Sequence, residues 1–143
     1  PGHNFRMSNM LAAFGLAQFE KLNFIFKKRL EIQKWYMKYL NKDKIYMQKI
    51  LPKTKFIPWT IGIVIKSCVN NMKKRDKIIY KLKKLGIETK YGFKKPDYFR
   101  IKNYKKKYSN SYKLTNSVIA LPFHLNLKKN QVKYICKCFN ENL

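Results

Sequence analysis

The chain has 143 residues, 45% of them hydrophobic and 15% aromatic, which is enough for one compact domain with a buried core and marginal for two. No apolar run reaches about 18 residues and no charged segment leads into an apolar one at the N-terminus, so neither a membrane span nor a secretory signal is expected. The net charge of +26 points toward a polyanion, nucleic acid or an anionic membrane surface.

From Ser8 to about Leu40 the pattern predicts a long helix, bent near Gly15 or Asn23. Ser8 suits the N-cap, where its hydroxyl accepts an N–H of the first turn that has no helical partner. Leu11, Phe14, Gln18, Leu22, Phe26 and Leu30 follow at helical spacing, and Lys27, Lys28, Arg29 and Lys34 suit a solvated face. Ala12, Ala13, Gly15 and Ala17 are small enough to let another backbone approach. Residues 41 to 55 are polar, contain Pro52 and read as a loop. Trp59, Ile61, Ile63 and Ile65 then alternate with Thr60, Gly62 and Val64, the period of a strand with both faces buried.

Asn70 or Asn71 caps a helix running to Leu85, with Ile78, Ile79, Leu82 and Leu85 as its apolar stripe. Gly86 follows where a left-handed C-cap favours glycine. Ile87 to Phe93 reads as a second strand. Residues 94 to 113 form a Lys- and Tyr-rich surface excursion, with a short helix over Ser111–Ser117. Val118 to Leu121 is a short strand ended by Pro122, and a final helix carries Val132, Ile135, Cys136 and Phe139. This order predicts a two-layer α/β sandwich, a small sheet with helices on one side.

No catalytic set closes within these residues. No metal-binding pattern, P-loop or dinucleotide fingerprint occurs, and His124 suits a structural role. Cys68, Cys136 and Cys138 lack metal-ligand spacing and point to a reduced, cytosolic chain; Cys136 and Cys138, two apart on a helix, are expected on different sides. The basic residues are 29 Lys and four Arg (Arg6, Arg29, Arg75, Arg100), whereas Arg does most bidentate phosphate and base recognition. Ile, Asn, Tyr and Phe are abundant and Ala and Gly scarce, the set an A+T-rich coding sequence supplies, so drift toward Lys on solvated faces accounts for the charge. A basic nucleic-acid-binding module is the alternative function, and a stand-alone pairing protein a third.

The opening segment is the candidate site. Asn4 and Arg6 alternate just before a helix N-terminus, and an amide donor, a guanidinium fork and a helix start together suit a phosphate or carboxylate. Gly2 would let the backbone pass close to a ligand. The bland alternative is an N-terminal arm whose Arg6 only caps or solvates.

The run Gly2-His3-Asn4-Phe5-Arg6-Met7-Ser8-Asn9, followed by Ala12-Ala13-Phe14-Gly15-Leu16-Ala17-Gln18-Phe19-Glu20-Lys21-Leu22, closely resembles the DegT/DnrJ/StrS sugar aminotransferases. Weaker likenesses follow in the family's order: Arg29, Pro58-Trp59 before a strand, Arg75-Asp76, Leu85-Gly86-Ile87-Glu88-Thr89, Leu121-Pro122 and Gln131-Val132 with Ile135. The resemblance implies the C-terminal domain of a fold type I, pyridoxal-phosphate-dependent enzyme. Its sheet would be mainly antiparallel, with residues 1–40 as interface loop and long interdomain helix and 41–143 as the small α/β domain. The large cofactor-binding domain, with the Schiff-base lysine, would lie outside this chain, and no residue here would be catalytic.

The implied reaction moves an amino group, usually from glutamate, to a keto sugar on a nucleotide, for polysaccharide or surface-glycan biosynthesis in the cytoplasm. The implied assembly is a homodimer with no metal, no membrane partner and only weak, non-specific nucleic-acid binding. Asn4 would inherit the contact to the cofactor phosphate, and Arg6 and Lys90 would face substrate. Lys90 stands where the family usually has Arg, keeping the charge and losing the fork. The stretch Phe93-Lys94-Lys95-Pro96-Asp97-Tyr98 lacks the family's histidine, which leaves the sugar open.

Overall fold

A computed structural model of the chain describes residues 3, 5–69, 71–92 and 109–143. The predicted long helix is two: α1 (Asn9–Glu20) and α2 (Leu22–Tyr39). Ser8 caps α1 as expected, its Oγ accepting from Leu11 N–H at 3.4 Å. The interruption falls at Lys21, between the two expected positions. There the ladder tightens, Lys21 N–H donating to the Gln18 carbonyl at 3.2 Å, before Ile25 N–H resumes α-helical bonding to Lys21.

The stretch 41–55, expected as loop, contains an edge strand, β1 (Ile45–Met47). Its three residues are too few to show a period, and the polar surroundings mask it. Strand β2 (Ile61–Ile65) starts later than Trp59, and only one of its faces is buried, against expectation. Ile61, Ile63 and Ile65 point into the core while Gly62 lies exposed on the other side.

Helix α3 (Met72–Lys84) is capped by Asn71, whose Oδ1 accepts from Lys74 N–H at 3.0 Å. It ends at Gly86, whose φ of +76° is the left-handed conformation the sequence called for. The second expected strand is cut to β3 (Lys90–Tyr91), and α4 (Ser109–Ser117) begins two residues early. Strand β4 (Val118–Leu121) and helix α5 (Lys129–Glu141) complete the chain. Asn70, Phe93 and most of the excursion expected after Phe93 lie outside the described residues.

The four strands form one antiparallel sheet in the order β1-β2-β4-β3. Its inner face, with Ile45, Ile63, Ile119 and Leu121, packs with Ile32 and Tyr36 of α2, Ile78 and Leu82 of α3, and Val132, Cys136 and Phe139 of α5 in one core. Each helix contributes a stripe at 3- and 4-residue spacing, which is why the elements form where they do. Tyr36 reaches the centre and satisfies its hydroxyl by donating to the Pro122 carbonyl at 2.6 Å. Cys136 and Cys138 are both buried, not split between inside and outside, because α5 is covered over a wide arc. The two-layer α/β architecture is therefore as expected, except that α4 leaves the helical layer and borders the outer face of the sheet.

Candidate functional site

Asn4 and Gly2 lie outside the described residues. The neighbouring residues define the surroundings of the opening segment. The His3 and Phe5 rings meet edge to face, 5.8 Å between centroids. Every residue from Phe5 to Lys21 is exposed, Arg6 among them. That surface includes Phe5, Met10, Leu11, Phe14, Leu16 and Phe19, each at least 60% exposed. Gly15 has no atom within 4 Å of where a Cβ would sit, so among the described residues nothing fills the path its small neighbours leave open.

The chemistry of this segment suits an anion. The first carboxylate in the chain is Glu20, so the segment that holds Asn4, Arg6 and the start of α1 carries no acid of its own. Uncapped N–H groups at a helix start carry partial positive charge, and an amide and a guanidinium add donors. These residue types fit the phosphate of pyridoxal phosphate. The same stretch contains no Lys, although the chain has 29, and among the described residues α1 is the most exposed helix.

Lys90 is elsewhere. It stands exposed on β3, paired in register with Ala120, which in turn faces Gly62. It lines a cavity of about 390 Å³ with Trp59, Thr60, Gly62, Leu114, Thr115 and Val118, and no residue of 5–20 takes part. Arg6 is thus not among the residues that line the cavity with Lys90.

Arg29, expected on a solvated face, and Arg75 both serve the scaffold. Arg29 donates from Nη1 to the carbonyls of Pro58 at 2.9 Å and Trp59 at 3.2 Å, fastening α2 to the entry of β2. Arg75 is buried, donates to Asp76 Oδ1 from Nε at 3.0 Å and Nη2 at 2.8 Å, and donates to the Thr115 carbonyl. Its guanidinium also lies 4.7 Å from the Tyr91 ring centre, so it joins α3, α4 and β3. Thr89 Oγ1 is buried without a hydrogen-bond partner among the described residues and lies in an adjoining cleft with Arg75 and Lys90.

The thiols are not reactive candidates. All three cysteines are buried and free, and burial pushes the Cys136 pKa up to about 12. Among the described residues no cluster of His, Cys, Asp or Glu could hold a metal ion, and no helix is long and apolar enough to cross a membrane.

Sequence reasoning did not single out Trp59 and Gly62 as cavity residues. Their signal was a small residue at an outward position of a strand entered through Pro58-Trp59. Without knowing that one sheet face is open, that alternation reads only as strand.

A model of the DegT/DnrJ/EryC1/StrS aminotransferase family matches residues 1–140. GDP-perosamine synthase of Escherichia coli O157:H7 is 29% identical over 146 residues, covering 98% of this chain and 37% of that protein. The solved structure of Helicobacter pylori PseC, an aminotransferase involved in the biosynthesis of pseudoaminic acid, matches with a TM-score of 0.76 and 26% identity, over 99% of this chain and 38% of that one. E. coli GDP-4-keto-6-deoxy-D-mannose-3-dehydratase with bound hydrated PLP shares the fold, with a TM-score of 0.76 at 17% identity, over 97% of this chain and 37% of that one. The chain therefore spans little more than a third of each relative's length.

Proposed function

The chain belongs to the DegT/DnrJ/EryC1/StrS aminotransferase family, and from that premise we propose that it works as the smaller lobe of a pyridoxal-phosphate-dependent transferase. The enzyme so formed moves an amino group, from glutamate, to a keto sugar carried on a nucleotide. It serves glycan synthesis as a cytoplasmic homodimer. Residues 1–40 are the interface loop and connecting helices, and 41–143 are the small domain.

One observation carries this reading. The helix that follows the candidate phosphate loop has no buried residue, presents large apolar side chains and is free of lysine. Drift that places Lys on solvated positions elsewhere has left this surface alone, as expected of a face covered in the assembled enzyme. An uncovered apolar patch of this kind marks an interaction site.

When bound, pyridoxal phosphate supplies the electron sink of transamination, and the lysine that carries it belongs to the larger lobe. The residues here bind and orient. Asn4 donates its amide N–H groups to the cofactor phosphate across the subunit interface. Arg6 orders that loop or takes an anionic group of the substrate. Lys90 offers a point charge to the nucleotide end of the substrate. None of them moves the proton of the reaction, so the isolated chain has no turnover.

Two measurements test this. Treated with pyridoxal phosphate and borohydride, the isolated chain gains no stoichiometric lysine adduct; one uniquely labelled lysine would overturn the reading. Joined to its larger lobe, Asn4→Ala weakens cofactor retention by roughly tenfold or more, the scale of one hydrogen bond to a charged group.

A further inference from the structure

Two rows of like charge run along the helical layer. On α3, Lys73, Lys77 and Lys81 follow at four-residue spacing, with Lys84 three further on. On α5, Lys129, Lys133 and Lys137 repeat the spacing. Every one of these lysines is exposed. At such spacing side chains stand one above the next on a single helix face, so the ammonium groups of a row repel and weaken the helix that carries them. Among the described residues no carboxylate pairs with a lysine of either row: Asp76 is held by Arg75, and Glu141 comes after Lys137.

The rows belong to one surface. Helices α3 and α5 share the core through Ile78 and Leu82 on one and Val132 and Cys136 on the other. Tyr134 Oη donates to the Leu85 carbonyl at 3.2 Å, joining α5 to the end of α3. Ile78 and Leu82 point inward, so Lys73, Lys77 and Lys84, on the opposite side of α3, point away from the sheet. Tyr80 and Tyr134 lie exposed among the lysines, with the Lys84 ammonium 4.7 Å from the Tyr80 ring centre. Drift accounts for how many lysines the chain has, not for this alignment. Two self-repelling rows side by side are relieved by an extended anion laid across both.

We propose that the outer side of the helical layer is a docking surface for the anionic face of a lipid bilayer, on which the chain rests without a span. The residue types favour lipid over nucleic acid. The rows are all Lys, compact point charges that suit a diffuse sheet of negative headgroups, and neither contains Arg, the residue of bidentate phosphate and base contacts. Stacking platforms for bases are lacking, since Tyr80 lies against Lys84 and Tyr134 is tethered through its hydroxyl. Tyrosine suits the headgroup level of a bilayer, with its ring toward the acyl boundary and its hydroxyl bonded. The inference is independent of the transferase reading and departs from the absence of a membrane partner that the family resemblance implies.

The test uses the chain carrying Leu11→Glu and Phe14→Glu, which removes the exposed apolar face of α1 as a rival anchor. Cosedimentation is measured with vesicles of phosphatidylcholine alone and of phosphatidylcholine mixed with phosphatidylglycerol. The expected result is binding to the phosphatidylglycerol vesicles only, lost as salt rises from about 0.1 M to about 0.5 M. Lys77→Gln, Lys81→Gln and Lys133→Gln together weaken it by about a hundredfold, since each lysine near an anionic surface is worth about fivefold. The same charge removed at the exposed Lys44, Lys49 and Lys55, around β1 and off the helical layer, weakens it by less than about threefold. The row variant also melts at or above the temperature of its parent, because repulsion along the helices is relieved. The proposal is overturned if phosphatidylcholine alone binds equally, if the two triple variants lose binding alike, or if the row variant melts lower. It is also overturned if a single-stranded oligonucleotide binds more tightly than the vesicles and depends on the same three lysines, which would make this a nucleic-acid surface.

Discussion

Arg75 shows how a charged side chain becomes part of a scaffold. Its Asp76 partner remains 41% exposed, so the pair is only half desolvated, and the Thr115 carbonyl and the Tyr91 ring also hold the guanidinium. Replacing it by Met should lower unfolding free energy by about 2–3 kcal/mol, read from the urea midpoint. The Arg75-Asp76 pair was visible in the sequence as part of a family-like order, but its structural duty was not. A polar link between α3, α4 and β3 leaves no periodicity for a sequence to display. Cys136 makes a pH-dependent prediction. Burial raises its folded-state pKa to about 12 and raises that of Tyr36 in the same sense. Both groups are neutral when protonated, so the unfolded chain ionises first as pH rises. Stability should be flat around neutrality, begin to fall above pH about 9 and keep falling toward pH about 12. Urea midpoints measured across that range check the slope, and Cys136→Ala should reduce it.

At the level of elements, strong periodicity and defined caps were readable, and short strands were not. Helices α3 and α5 declared themselves through Ile78 and Leu82, and through Val132, Ile135 and Phe139, with Asn71 and Gly86 bounding the first. Strand β1 did not, because three residues beside a polar turn exist as a strand only through pairing with β2. The one-sided burial of β2 was hidden for a related reason: Gly62 and Val64 are apolar enough to pass for core. Gly92 carries a sharper constraint than any pattern revealed. A Cβ there would sit 2.8 Å from Val118 Cγ1 and 3.0 Å from Val118 Cβ, and a β-branched residue at a strand start cannot swing away. Gly92→Ala should cost about 1–3 kcal/mol, and Val118→Ala in the same chain should recover most of it, as thermal melts of the single and double variants would show.

For the whole molecule, the decisive feature is the contrast between two surfaces. One is the lysine-bearing outside of the helical layer, and the other is the lysine-free apolar flank of α1. Leu11→Glu with Phe14→Glu should leave the isolated chain's stability within about 0.5 kcal/mol, because both side chains are exposed there. The same pair should abolish joining to the larger lobe, which gel filtration of the mixed components would detect. The family was legible from the opening motif alone, since its residue types and spacing are specific. The cavity at Trp59 was not, since it depends on which strands become neighbours.

The strand order has a consequence for synthesis. β4, encoded last among the strands, occupies the inside of the sheet between β2 and β3. During translation the inner edge of β2 stays open and β3 has no neighbour until residues 118–121 leave the ribosome, and the core stays incomplete until α5 follows. A ribosome paused between Gly92 and Val118 would therefore hold out an apolar, half-finished sheet. That interval is where this chain most needs a chaperone, and a truncation ending there should be captured by one or degraded.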